Sequence, residues 1–228
     1  MSDRRSQAIP LVKEWVNIYD YSMVKRRYTL GQRAASQEET RRRIVEATVE
    51  LHEEVGPRDT SISAIAEKAQ VQRLTVYRHF PDEAALFAAC TAHWFERNPP
   101  PVSSAWNNKE GRARVLAALT ALYRYYRKTE RMWTLSYRDE ADVPALAEPM
   151  TQVRNYLLSV CDDLVQHLKP KRSAAERVRL TVAHAVQFST WQSLAPQQED
   201  SEMAHLVCAW LDGVLGMETP SRSGRKRP

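Results

Sequence analysis

The stretch from residue 60 to residue 86, TSISAIAEKAQVQRLTVYRHFPDEAAL, constrains the fold more than any other part of the chain. Its apolar residues recur at helical spacing in two short blocks, separated by the turn segment 70–72, in which Val71 is the only apolar residue. Ser61 is a candidate N-cap for the first block. Val76 and Phe80 form a narrow i, i+4 stripe in the second block. The pattern predicts two short helices joined by a tight turn and followed by a third helix.

The second of these helices combines one buried stripe with a surface rich in hydrogen-bond donors. On a helical wheel most of the other side chains of this helix point away from Val76. Gln72 and Arg73 lie at its N-terminal end. A narrow helix of this kind suits the major groove of DNA, where side chains read base edges. We therefore expect contacts with DNA from Gln72, Arg73, Leu74, Thr75, Tyr77 and Arg78.

Residues 36–95 resemble the DNA-binding domain of the tetracycline-repressor (TetR) family of bacterial transcription regulators. The resemblance is carried by RRRIVEATVELHEEVG, TSISAIAEKAQV and LTVYRHFPDEAALF, and covers about a quarter of the chain. The last segment matches the family's run of threonine, apolar, tyrosine, variable, histidine and phenylalanine residues. The resemblance implies an all-α fold. A three-helix helix-turn-helix domain would be joined by a linker helix to a C-terminal helical domain for ligand binding and dimerisation.

The resemblance also implies roles for single residues near the expected DNA surface. A hydroxyl of Thr60 or Ser61 is expected to bind a phosphate. Arg73 is expected at a guanine and Gln72 at an adenine. Leu74 is expected against a thymine methyl group, and packing inside the domain is its alternative role.

Tyr77 and His79 are expected to bind phosphates from either side, although His79 is also a candidate cap for the next helix. The sequence departs from the family pattern at three positions in this region, one of which is Ala64, where the family often has an acidic capping-box partner. Gln70 replaces the usual glycine of the turn, so a left-handed backbone there would be strained. Glu83 stands where many members carry a phosphate-binding lysine, and this puts one expected contact in doubt.

Basic charge is concentrated at the two ends of the chain, whose net charge is +5. Residues 1–36 carry seven Lys/Arg against three Asp/Glu, and residues 219–228 carry four Lys/Arg and no acidic residue. The segment between them is therefore net acidic. Basic ends of this kind can follow DNA phosphates or can simply be solvated. For the C-terminal tail, residues 217–228, we expect a disordered and solvated end.

The first 35 residues are expected to be a basic N-terminal extension or arm. An arm that precedes a helix-turn-helix can enter the adjacent minor groove with its arginines. Arg26, Arg27 and Arg33 are the candidates for this contact. Met23 is an alternative start of the chain, in which case residues 1–22 would not belong to the protein.

A capping box, with Ser36 as N-cap and Glu39 three residues later, predicts the start of the first helix of the DNA-binding domain. We therefore expect residues 36–81 to form the helix-turn-helix domain. Residues 82–216 are expected to form the helical domain that binds an effector and dimerises, beginning with a linker helix capped by Asp82.

Prolines, Gly111, Thr129 and Ser173 divide the rest of the chain into helical blocks, at about 109–128, 130–140, 144–169, 173–194 and 198–216. The last two blocks are amphipathic, so two copies of the chain could form a four-helix interface with them. Alternatively, these helices complete the core of one monomer. Because one short helix-turn-helix contacts too little DNA for tight binding, we expect a homodimer on double-stranded DNA.

Aromatic and polar residues of the helical body are candidates for a small-molecule pocket, and the segment ERMWTLSYRDE is the richest. Such residues suit a flat or moderately apolar effector, whose identity the sequence does not indicate. An aromatic stripe at helical spacing nevertheless packs a core more often than it lines a pocket. The candidates are Tyr123, Tyr126, Trp133, Tyr137, Arg138, Asp139, His184, Gln187 and Trp191.

The sequence contains no motif for catalysis, phosphate cradling or metal ligation, so we expect no enzyme activity, no metal and no cofactor. No apolar run approaches the ~20 residues of a membrane span, and we expect no membrane partner. Three widely spaced cysteines suggest reduced thiols and a cytoplasmic protein. A redox sensor that uses Cys90, Cys161 or Cys208 is a distant variant.

The sequence therefore predicts a homodimeric transcription regulator, most simply a repressor, that binds a palindromic operator and is released by a small-molecule effector. One alternative is a helix-turn-helix regulator without an effector. Another is a helical small-molecule-binding protein that has lost DNA binding, which the acidic body and Glu83 would favour.

Overall fold

The computed structural model describes residues 12–196 and 198–216, with side chains from residue 32 onward. Throughout this part of the chain the structure is helical, as predicted. Two short 3-10 turns, Ser103–Ala105 and Pro144–Leu146, accompany the α-helices. The helices are α1 Val12–Glu54, α2 Ile62–Lys68, α3 Arg73–His79, α4 Glu83–Arg97, α5 Gly111–Asp139, α6 Ala147–Leu168, α7 Ala175–Ala185, α8 Phe188–Leu194 and α9 Asp200–Gly216.

The local signals around the helix-turn-helix are confirmed. The Ser61 hydroxyl accepts the Ala64 backbone N–H at 3.1 Å and so caps α2. The Asp82 carboxylate caps α4 in the same way, at 2.7 Å from the Ala85 backbone nitrogen. Gln70 has a φ of 55°, which is the left-handed conformation expected from its place in the turn.

The predicted start of the first helix at Ser36 is wrong. Helix α1 runs without interruption from Val12 to Glu54, and the backbone carbonyl of Ser36 accepts a bond from the Thr40 hydroxyl at 2.9 Å inside this helix. Glu39 does not complete a capping box but pairs with Arg42 at 2.7 Å. The capping pattern does not start a helix here, because the residues before Ser36 are mostly good helix formers and continue the helix through it.

The predicted break at Thr129 is a kink within one long helix, α5. Thr129 has non-helical backbone angles, with φ −117° and ψ 15°. Its hydroxyl donates to the Tyr125 carbonyl at 2.6 Å and accepts the Trp133 indole N–H at 3.0 Å. A hydroxyl that bonds back to the preceding turn commonly bends a helix.

The predicted single helix over residues 173–194 is wrong, because the chain turns between α7 and α8. Two tyrosine hydroxyls of α5 donate hydrogen bonds to backbone carbonyls at this turn. Tyr123 donates to Ala185 at 2.9 Å, and Tyr126 donates to Val186 at 2.7 Å. The break is thus stabilised by residues about sixty positions away in the chain.

The buried residues form two cores that meet along α4. The smaller core joins α1, α2 and α3, and α4 contributes Leu86 and Cys90 to it. The larger core fills the helical body, and α4 contributes Phe87 and Trp94 to it. Because adjoining faces of α4 pack into the two cores, this helix links the helix-turn-helix domain to the body. None of the helices that the structure describes is long and apolar enough to cross a membrane.

Candidate nucleic-acid interface and apolar cleft

Helix α3 presents most of its surface to solvent and is anchored by a single side chain. Val76 is completely buried between α3 and the neighbouring helices. Leu74 is 67% exposed and Tyr77 is 47% exposed, which is unusual for large apolar or aromatic residues. Leu74 therefore does not pack within the described protein, and a packing role for it is excluded there.

The other residues predicted on α3 share the same outward surface. Gln72, Arg73 and Arg78 are exposed, and Thr75 and His79 are half-buried. No hydrogen bond or ion pair to another described side chain engages the two arginines. The structure thus brings together donors, a hydroxyl and an apolar side chain on one short helix, which is the combination required to read base edges.

Thr60 and Ser61 differ in what their hydroxyls can offer. The Thr60 hydroxyl donates to the Gly56 carbonyl at 2.8 Å, so its proton is already used. The Ser61 hydroxyl accepts the Ala64 N–H and keeps its own proton for another acceptor. Of the two residues, Ser61 is therefore better suited to a phosphate.

The three arginines predicted for an N-terminal arm lie on α1. The backbone at Arg26, Arg27 and Arg33 is helical rather than extended. The Arg33 side chain is exposed, whereas the structure describes only the backbone at Arg26 and Arg27. Their contact with a minor groove stays a prediction, and the C-terminal tail of residues 217–228 lies outside the described residues altogether.

An apolar cleft lies where the DNA-binding domain meets the helical body. Its walls come from α1, α4, the last part of α5 and the start of α6, and its free volume is about 50 Å³. A second cavity of about 170 Å³ lies beside it, and Phe95, Trp133 and Val153 line both. No side chain that lines the cleft carries a formal charge at neutral pH. The complete lining is Val49, His52, Pro57, Phe87, Cys90, Thr91, Trp94, Phe95, Met132, Trp133, Ser136, Leu146, Pro149, Met150 and Val153.

His52 is the most unusual residue of this cleft. It is 96% buried on α1, and its ring lies 4.9 Å from the Phe87 ring, centroid to centroid. Burial lowers the pKa of His52 to about 4 from its ordinary value of 6.5, and the Asp139 carboxylate only partly opposes this effect. The imidazole is therefore neutral at physiological pH.

Of the predicted pocket residues, only Trp133 and Tyr126 line these cavities. Tyr123 and Trp191 are fully buried in the core, where the Trp191 indole donates to Asp200 at 3.2 Å. The others lie elsewhere. Tyr137 stacks on Phe188, His184 is exposed, Gln187 bonds back to the Ala183 carbonyl, and Arg138 with Asp139 contacts the DNA-binding domain.

The three cysteines are buried and free of disulfides. Burial raises the pKa of each thiol, to about 12 for Cys90. Because redox sensing requires an accessible thiolate, these sites are poor sensors. Within the described residues no three His, Cys, Asp or Glu side chains are grouped so that they could hold a metal ion.

Comparison with known proteins agrees with the geometry of the helix-turn-helix. A family profile described as bacterial regulatory proteins of the tetR family matches residues 44–90, which span the last quarter of α1 through the first half of α4. The HTH-type transcriptional repressor KstR of Rhodococcus jostii (strain RHA1) is 38% identical over 81 residues, covering 32% of this chain. The segment of this chain that contains the helix-turn-helix therefore matches the tetR family of bacterial regulatory proteins.

The similarity to KstR spans only 38% of the length of that repressor. Solved structures extend the TetR-like fold to the helical body. A TetR-like transcriptional regulator from Rhodococcus sp. RHA1 covers 78% of this chain and 97% of its own, with a TM-score of 0.57 and 19% identity. A second transcriptional regulator from the same organism covers 77% and 95%, with a TM-score of 0.55 and 17% identity. The fold of the body is thus shared, while its ligand is not indicated by these relatives.

The sequence did not indicate which residues join the helix-turn-helix domain to the body. The Arg131 guanidinium donates to the Glu53 carbonyl at the end of α1, at 2.6 Å. Arg138 donates to the Val55 carbonyl at 2.8 Å. Arginine bonds to the last carbonyls of a helix are favourable, but no local pattern indicates which helix end an arginine will meet. His52 and Ser136 of the cleft were missed for the same reason.

Proposed function

We propose that this TetR-family protein is a homodimeric transcriptional repressor that binds a palindromic operator and releases it when a small molecule occupies the cleft. The proposal is carried by α3, on which one buried residue, Val76, supports an exposed surface of Gln72, Arg73, Leu74 and Tyr77. An exposed leucine between an arginine and a threonine has no role in the fold of the described chain. Against a thymine methyl group it would be buried.

The helical body offers a surface for the second copy. Helix α7 packs against α9, and together they expose Leu180, Leu206, Trp210 and Leu215. Leu206 and Trp210 are four residues apart and share one face of α9. In a two-fold dimer, each would meet the same surface of the other copy. The two α3 helices would then enter successive major grooves about 34 Å apart.

The cleft supports a direct route from ligand to DNA. One wall, formed by α1 and α4, belongs to the DNA-binding domain, and the opposite wall, formed by α5 and α6, belongs to the body. A ligand that fills the cleft better in one relative arrangement of these walls shifts the population toward that arrangement. In the favoured arrangement, the distance between the two α3 helices would no longer match the spacing of the two operator half-sites. The affinity for DNA would then fall by the coupling free energy between the ligand site and the DNA site.

The experiment is a selection of binding sequences from random duplex DNA, followed by measured affinities for the selected duplex. We expect a palindromic sequence, and we expect Thr75→Ala and Tyr77→Phe each to weaken its binding. Arg73→Ala should weaken binding and relax the preference at one base position by about 1–3 kcal/mol. Arg172→Ala is the matched control, because Arg172 is an exposed arginine in the α6–α7 loop, away from α3.

Failure to select any sequence at low salt would contradict the operator model and would favour a small-molecule-binding protein without DNA binding. Selective binding that no ligand weakens would instead favour a regulator without an effector. Equal losses from Arg73→Ala and Arg172→Ala would indicate charge-driven, non-specific binding, which depends on salt and not on sequence.

A further inference from the structure

Two polar groups that line the apolar cleft have unused hydrogen-bonding capacity. Ser136 is 94% buried on α5, yet within the described residues its hydroxyl forms no hydrogen bond. A helical serine normally bonds to the carbonyl four residues earlier when nothing else is available, as the hydroxyls of Thr120 and Thr151 do. The Ser136 hydroxyl therefore keeps its proton and a lone pair for a molecule in the cleft.

His52 lies on another wall of the cleft and leaves a second group without a partner. Its Nδ1 is 3.9 Å from the Cys90 sulfur, and the Cys90 thiol proton is directed to the Phe87 carbonyl at 3.2 Å. Since a thiol has only one proton, the Nδ1–Sγ contact favours the tautomer with the proton on Nδ1. The lone pair is then on Nε2, for which no described residue is a donor.

The remaining lining determines the charge of any occupant. Aromatic and aliphatic side chains surround these two groups, and no Lys, Arg, Asp or Glu lines the cleft. An ion placed there would lose its hydration without gaining a counter-ion, which is unfavourable. A neutral molecule avoids this cost, and burial of its apolar part is favourable.

We infer that the cleft binds an uncharged, largely apolar molecule with one hydroxyl group, which donates to His52 and accepts from Ser136. A hydroxyl is the simplest group that satisfies both, because it has one proton and two lone pairs. The free volume is small in this structure, but Met132 and Met150 line the cleft and have flexible side chains. Movement of Trp133 would also join the cleft to the neighbouring cavity. The inference rests on the proposed function only for its regulatory consequence.

The test uses the full-length protein without DNA and two matched pairs of probes, phenol with benzoate and 2-naphthol with 2-naphthoate, together with naphthalene. Binding is measured by calorimetry and by the rise in melting temperature, which follows ligand occupancy. We expect at least one of the alcohols to bind, with its matching carboxylate at least tenfold weaker. For that alcohol, Ser136→Ala should reduce affinity about fivefold, the equivalent of one neutral hydrogen bond, and should leave naphthalene binding unchanged.

Ser159→Ala is the control, because Ser159 is exposed on α6 and its hydroxyl bonds to the Tyr156 carbonyl. Binding by neither alcohol, tighter binding of a carboxylate, or equal effects of the two serine substitutions would each overturn the inference. Ligand binding and DNA binding are measured separately. Selective DNA binding without alcohol binding would therefore reject the cleft ligand alone, and the reverse result would reject the repressor alone.

Discussion

The backbone N–H of Arg58, in the loop after α1, donates to the Asp139 carboxylate at the end of α5, at 3.1 Å. Asp139 is completely buried, and its carboxylate also accepts the Arg138 guanidinium at 2.6 and 2.9 Å. These contacts join the DNA-binding domain to the helical body. The α5 segment beyond the Thr129 kink therefore holds the end of α1 on one side and contributes Ser136 to the cleft on another.

This arrangement predicts that Asp139 is important for stability. In Asp139→Ala the Arg58 N–H would lose its acceptor, and Arg138 would lose the nearer of its two ion-pair partners and keep Asp59 at 3.5 Å. We expect the free energy of unfolding to fall by about 2–3 kcal/mol, measured by urea denaturation. Asp142→Ala removes an exposed partner of Arg58, 3.2 Å away, and should change stability by less than about 1 kcal/mol. Similar losses in both variants would show that burial of Asp139 has no special effect.

Gly56 predicts a steric test of the same junction. Its φ is 96°, and a Cβ atom there would lie 2.4 Å from both the Arg138 guanidinium and the Asp139 carboxylate. Gly56→Ala should therefore combine backbone strain of about 1 kcal/mol with displacement of the ion pair. We expect a total loss of about 3 kcal/mol or more in thermal or urea unfolding.

Gly111→Ala separates these two effects. Gly111 also has a positive φ, 51°, but a Cβ atom there would meet nothing within 4 Å. We expect this variant to lose only the strain of about 1 kcal/mol. If Gly56→Ala were no worse than Gly111→Ala, the close approach of Arg138 and Asp139 would not constrain the folded state.

His52 predicts a specific dependence of stability on pH. Its pKa is lowered to about 4 in the folded state, chiefly by burial, against an ordinary value of 6.5. Between these values the unfolded chain binds a proton that the folded protein does not, so stability is lost as pH falls from about 6.5 toward 4. The loss at this site should approach roughly 3 kcal/mol.

The measurement compares unfolding free energies of the wild type and His52→Phe at several pH values from 7 to 4. The stability difference between the two proteins should shift toward the variant as pH falls, because phenylalanine has no proton to bind. The same substitution at His184, an exposed residue on α7, provides the control. A constant difference across this range would mean that His52 is protonated in the folded protein without cost.

The surface formed by α7 and α9 predicts the effect of a buried charge on assembly. Trp210 is 41% exposed on α9, and a two-fold interface would contain it twice. Trp210→Glu should raise the dimer dissociation constant at least about 100-fold, measured by analytical ultracentrifugation over a range of concentrations. Val102→Glu introduces the same charge at an exposed apolar residue outside these helices and should leave the dimer intact. A monomeric wild type, or equal effects of both variants, would contradict this interface.

Local chemistry explains what could be predicted without the structure. The caps at Ser61 and Asp82, the buried anchor Val76 and the left-handed turn at Gln70 all depend on neighbours within four residues. The same local reasoning failed at Ser36, because a capping pattern does not stop a helix when the residues before it also favour one.

The sequence by itself determined the helical class and the short helices of the helix-turn-helix, since periodicity and capping act over short distances. Only the tertiary structure decided where the body breaks and which residues line the cleft. Tyr123 and Tyr126, on α5, stabilise the end of α7 by hydrogen bonds to its last carbonyls. Asp139, predicted as a pocket residue, instead contacts the loop after α1. Ser136 and His52 are conspicuous only because packing places them, largely buried, in the lining of the cleft. Such outcomes depend on long-range packing and hydrogen bonding, which no local pattern encodes.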